Sequence, residues 1–184
     1  MKDSNWTTRL CRAAALALVF AGSPSQAAAE PTAADVEAIA QSLGFISSLP
    51  STGAVNIGIV YAEDQANGES NSARVIAMLN AGRGPNQRSL HGTSIAVKDL
   101  MHATQEFDVY LLMPGTSGQA AVINDAARRR HIVSISSDPA CLEANCCVLM
   151  VSAQDRVRIV LNTALADAIG ARFSSVFAMM VSRK

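Results

Sequence analysis

Aromatic side chains are scarce in this chain: one Trp, two Tyr and five Phe in 184 residues. Platforms on which bases or sugar rings stack are therefore not expected. Charged residues make up only 16 % and the two signs cancel, whereas a nucleic-acid-binding domain needs a clearly basic face. Nucleic acid is thus excluded as a partner. Three histidines occur, His91, His102 and His131, widely dispersed and without an HExxH pair. The chain has no GxSxG elbow, no P-loop and no GxGxxG fingerprint. Ser117 has no legible base to activate it, and an N-cap role suits it better. Glu63-Asp64 and Glu106/Asp108 read as solvated carboxylates. The chain therefore reads as non-enzymatic, with no catalytic residue, metal or cofactor expected.

Long apolar runs are also missing, with one exception near the start. Lys2, Arg9 and Arg12 precede Ala13–Gly22, an apolar stretch shorter than the ~20 residues needed to span a bilayer. Small and polar residues follow, and Ala27-x-Ala29 suits signal peptidase. A signal peptide over residues 1–29 is expected, cut after Ala29 or, as second choice, after Ala27. Cys11 precedes the apolar run and would leave with it. Residues 30–184 then form one exported domain, slightly acidic and without direct membrane insertion. About half of the full chain is hydrophobic, which suffices for a core at this length.

What is present alternates between strand and helix. Thr32-Ala33-Ala34-Asp35 resembles a capping box with Asp in place of Glu. Val36, Ile39, Ala40, Leu43 and Ile46 follow at helical spacing, up to Pro50. Ala54–Tyr61 (AVNIGIVY) predicts a buried strand, Glu63–Gly68 a loop, and Asn71–Ala81 a helix ending at Gly82. Gly82–Gly92 is turn-rich. Ser94–Val97 and Phe107–Met113 predict further strands, and Gln119–Arg130 a helix with Val122, Ile123, Ala126 and Ala127 inward. Arg128, Arg129 and Arg130 suit the carbonyl end of that helix dipole. An apolar strand over Ile132–Ser136, a hairpin, and a helix capped by Asn162 and ended by Gly170 complete the pattern. The fold class is α/β: a single-domain, Rossmann-like, mostly parallel sheet flanked by helices, with a C-terminal β-hairpin and helices.

Two stretches invite function. Gly115, Thr116, Ser117 and Gly118 follow a strand and open a helix, where parallel sheets gather ligands; this loop is a plain turn or a ligand cradle. Cys141, Cys146 and Cys147 share one short segment, DPACLEANCC. In an oxidising compartment they predict a local disulfide, Cys141–Cys147 or Cys141–Cys146, contributing ~2 kcal/mol for so small a loop. A bond between the neighbours Cys146 and Cys147 is strained. A zinc site with His131 is the sharper alternative, but the spacing contains no CxxC pair. The apolar tail Val176, Phe177, Met179 and Met180 either packs on the sheet as core or forms a partner or dimer surface.

The same C-terminal stretch resembles a known family. Ile132-Val133-Ser134-Ile135-Ser136, the cysteine loop, Arg156-Val157-Arg158-Ile159-Val160-Leu161-Asn162, Ala164–Gly170 and Ser174-Ser175 resemble the C-terminal half of the YfiR family. His91–Lys98, Phe107–Met113 and the first helix ending at Pro50 fit upstream. Some features depart from the family pattern. Asp108 stands near where the family often has a cysteine, and Val60 and Tyr61 stand where its partner would be, so that inter-strand disulfide cannot form. Ala153-Gln154-Asp155 lacks the usual hairpin glycine, and Ile159 replaces a phenylalanine. The resemblance implies a periplasmic regulator that represses an inner-membrane diguanylate cyclase by binding its periplasmic sensor domain. That lowers cyclic di-GMP signalling and restrains biofilm, with homodimerisation expected. It also implies that the C-terminal disulfide carries over onto Cys141 with Cys147, or with Cys146. The alternative function is a small-ligand-binding module resembling half of a periplasmic binding protein, built on the Gly115–Gly118 loop.

Overall fold

A computed structural model describes residues 29–50, 52–82 and 84–184. The expected signal segment, apart from Ala29, lies outside the described residues. Among the described residues no helix is long and apolar enough to cross a membrane.

The first helix, α1 (Ala33–Ser42), starts as its sequence predicts. Thr32 and Asp35 form a reciprocal capping box, which satisfies N–H groups that the first turn cannot pair internally. Its apolar stripe of Val36, Ile39, Ala40 and Leu43 is buried, as is Ile46 beyond it. Strand β1 (Val55–Tyr61) leads to α2 (Gly68–Ala81) and then to β2 (Leu90–Ala96). β2 starts four residues before the expected Ser94. Its register with β1 is continuous from Val55↔Leu90 to Tyr61↔Ala96, so tertiary pairing draws Leu90–Thr93 out of a turn-like composition. Strand β3 (Val109–Leu112) is followed by α3 (Ala120–Arg130) and β4 (Val133–Ser136). Within α3, Ile123, Ala126 and Ala127 are buried, but Val122 is exposed. Only the stripe pointing at the sheet is covered.

The cysteine loop contains a short helix, α4 (Pro139–Glu143), opened by the Asp138 side chain as N-cap and by Pro139. Proline is favoured there because its φ already suits the first turn. The hairpin β5 (Leu149–Ser152) and β6 (Arg158–Leu161) comes next. Helix α5 (Thr163–Ile169) has Asn162 as its cap and Gly170 in the left-handed region at its end. Helix α6 (Ser175–Met180), capped by Ser174, is followed by a two-residue strand, β7 (Ser182–Arg183).

Among the described residues seven strands form one sheet in the order β2-β1-β3-β4-β5-β6-β7. Pairing is parallel except between β5 and β6. β3 and β4 are buried along their whole length, as expected for central strands covered on both faces. Gly58 in β1 leaves room for neighbours. A Cβ there would lie 3.0 Å from Tyr110 Cδ1 and 3.2 Å from Phe107 Cδ1. The segment after α1 meets the segment before α6. Ser47 N–H donates to Arg172 O, Ser174 N–H donates to Phe45 O, and Ile46 bridges Phe173.

Candidate functional site

The sheet order reverses between β1 and β3, the position at which open α/β sheets form a ligand crevice. A cleft of about 190 Å³ is found there, lined by Glu30, Tyr61, Gln65, Asn71, Met113 and Pro114 among others. The Gly115–Gly118 loop does not provide it with a cradle. Gly115 has φ 88° and starts a 3-10 turn over Thr116–Gln119 with no side-chain cap, so Ser117 is not an N-cap. Thr116 is fully buried, and its hydroxyl donates to Met113 O at 2.8 Å. The Gln65 side chain packs over Gly115, within 2.7 Å of where a Cβ would stand. Thr116 and Ser117 do not line the cleft.

The cysteines resolve differently from the first expectation. Cys141 pairs with Cys146, with Cα atoms 5.2 Å apart, and Cys147 is a buried free thiol. The helix α4 explains the choice. Its end turns the chain back so that Cys146 N–H donates to Cys141 O at 2.8 Å, bringing those two residues together. The next residue projects elsewhere, as neighbouring side chains must. Burial, and next the negative charge of Asp138, push the Cys147 thiol up to about 12, with Lys184 opposing. Two of the sulfurs proposed as zinc ligands are thus bonded to each other. His131 is held at the end of α3 at φ 56°, its Nδ1 3.0 Å from Ile169 O.

Lys184 fastens this loop to the sheet edge. Its ammonium donates to Leu142 O, to Glu143 O at 3.3 Å and to Asn145 Oδ1 at 2.9 Å. A cation suits the carbonyl end of a short helix. Its backbone N–H donates to Leu161 O at 2.9 Å, continuing the β6–β7 pairing.

The apolar tail divides between two roles. Phe177 is buried, stacked 4.8 Å from Phe45 and 5.7 Å from Phe173, so it is core, at the floor of a groove. Val176, Met179 and Met180 are exposed at 58 %, 76 % and 69 %. Of these three, Met180 lines the same groove of about 400 Å³ between β6 and α6, reached also by Phe45, Val157, Ile159 and Val181. Arg156 and Arg158 line it, and none of the ion pairs found among the described residues involves either. Sequence reasoning missed this groove. Its one local signal is the alternation of charged and apolar residues from Arg156 to Ile159, which marks a strand but not what lies beside it.

A family model described as DUF4154, YfiR/HmsC-like, matches residues 51–180. The chain belongs to the YfiR/HmsC-like family. No curated protein matches it. Solved structures share the fold of this YfiR/HmsC-like chain at low identity. A ligand-free, open substrate-binding protein with adhesive properties from Clostridium difficile is 12 % identical, with a TM-score of 0.57, 82 % of this chain covered and 58 % of that one. An "ABC domain" in complex with L-Trp from Streptococcus pneumonia is 12 % identical, with a TM-score of 0.54 and coverage of 83 % and 60 %. A conserved domain protein from Vibrio cholerae is 16 % identical, with a TM-score of 0.55 and coverage of 84 % and 60 %. The YfiR/HmsC-like chain thus spans about three fifths of these proteins' lengths. The likeness establishes an α/β fold shared with these proteins.

Proposed function

We propose that this protein is an exported, non-enzymatic regulator that occupies the periplasmic sensor domain of an inner-membrane diguanylate cyclase and so lowers cyclic di-GMP. Membership of the YfiR/HmsC-like family carries the reading, because the family points to a periplasmic regulator. The exposed Val157 and Met180 in an arginine-lined groove support it, since exposed apolar patches mark protein contacts. The disulfide Cys141–Cys146 suits an oxidising compartment;.

The test is deletion of the gene and co-purification of the protein with a membrane cyclase encoded beside it. Cyclic di-GMP is expected to rise on deletion, and the cyclase to be recovered with the protein. Unchanged cyclic di-GMP together with no recovered sensor protein would reject the reading.

A second reading, a small-ligand module, is favoured by the binding-protein fold and by the cleft between β1 and β3. The occupied hydroxyl of Thr116 and the covered Gly115 weigh against it. A thermal-shift screen of anions and small metabolites decides. Stabilisation that is lost in Asn71→Ala would favour the ligand reading.

A further inference from the structure

The sheet ends in an unfinished edge. Among the described residues β7 pairs only with Val160 and Leu161, so Arg158 and Ile159 have a strand neighbour on the β5 side alone. A bare strand edge is a template for another strand, and proteins commonly blunt such edges with charge. Arg156 and Arg158 stand at this one. They repel a cationic strand and attract an acidic one, so they select as well as protect. Two of the five large exposed hydrophobic residues found among the described residues, Val157 and Met180, line the same groove.

We propose that this edge and groove bind an extended segment of a partner protein, added as a strand beside β6. Its apolar side chains fill the groove over Phe45 and Phe177, and its carboxylates meet Arg156 and Arg158. Strand addition takes its affinity from main-chain hydrogen bonds and its specificity from alternate side chains. A second copy of this chain fits less well. A two-fold contact places one patch against itself, which brings arginine against arginine. A lipid surface accepts methionines but leaves strand-edge N–H and C=O groups without partners. The inference rests on the reading of this chain as a protein-binding regulator, but it does not depend on the partner being a cyclase.

The experiment is an NMR titration of the full chain, labelled with ¹⁵N and at methionine methyls. The probe is an acetylated peptide of alternating Val and Glu. Saturable shifts are expected at the Arg158 and Ile159 amides and at the Met180 methyl. Arg158→Glu is expected to weaken binding at least tenfold, and a Val-Lys peptide to give no shift. Arg156→Glu, in the exposed hairpin turn, provides the same comparison should Arg158→Glu lose its dispersed spectrum. The proposal is overturned if the Val-Glu peptide leaves these resonances unmoved, or if the Val-Lys peptide moves them equally. It is equally overturned if they respond to protein concentration alone, or to phosphatidylglycerol vesicles and not to the peptide. A regulator that leaves cyclic di-GMP unchanged would still give the peptide shifts, so the two readings fail separately.

Discussion

Asp35 offers the sharpest test of how the chain holds together. Its Oδ2 accepts from Thr32 N–H at 2.9 Å and from Thr32 Oγ1 at 2.7 Å. Its Oδ1 accepts from Ala153 N–H at 2.7 Å, across 118 residues of sequence. One carboxylate thus caps α1 and ties it to the β5–β6 hairpin. Asp35→Ala removes the cap contact, about 1 kcal/mol. It also removes a hydrogen bond to an ionised group, about 1.5–3 kcal/mol. Relief of the buried charge offsets part of this, so the expected loss is about 3 kcal/mol. With a urea dependence of about 2 kcal/mol per molar for a domain of this size, the midpoint should fall by about 1.5 M. Thr32→Ala removes only the cap partner and should cost about 1 kcal/mol. Hydrogen exchange supplies the local readout: the Ala153 amide should lose protection in Asp35→Ala and keep it in Thr32→Ala. Equal costs for the two variants, with the Ala153 amide unprotected in the parent protein, would refute the long-range tie.

Other outcomes follow from single contacts. Phe177→Ala should cost about 3–5 kcal/mol by emptying the stack between Phe45 and Phe173;, while Met179→Ala should leave the urea midpoint nearly unchanged. Gly58→Ala forces a methyl against Tyr110 and Phe107 and should cost about 1–3 kcal/mol, read by thermal unfolding. Peptide mapping without reduction should recover Cys141 linked to Cys146, and replacing both by Ser should cost about 2 kcal/mol. Cys147 should resist alkylation in the native protein at pH 8. Its raised folded value makes its contribution to stability full below the ordinary thiol value of 9.0 and lost as pH rises towards about 12;. Cys147→Ala should therefore flatten the alkaline fall in stability measured by urea titration.

The elements that were legible in the sequence are those whose causes are local. The Thr32–Asp35 box, the α1 stripe, the β1 run and the Asn162 and Gly170 caps each need only a few neighbouring residues. The elements that escaped depend on partners far along the chain. Leu90–Thr93 become strand because β1 lies alongside. Val122 is exposed because the sheet covers a narrower stripe of α3 than periodicity alone suggests. The choice of Cys146 over Cys147 turns on the short helix after Asp138, which five residues could not announce. β7 is two residues long, held by Leu161 and by the side chain of Lys184.

The groove belongs to this second class, and that bears on how it would work. Phe45 comes from beyond α1, Ile159 from β6, and Phe177 and Met180 from α6, so none of these segments has the surface on its own. The segments are brought together beside the hydrogen bonds Ser47–Arg172 and Ser174–Phe45. The disulfide-bearing α4 reaches the same end of the sheet through Lys184, whose side chain holds Leu142 and Glu143 while its backbone holds Leu161. Lys184 directly follows β7, the strand that covers Val160 and Leu161 of the β6 edge. It thus links the cysteine loop to the end of β7, although Cys141 and Cys146 do not line the groove.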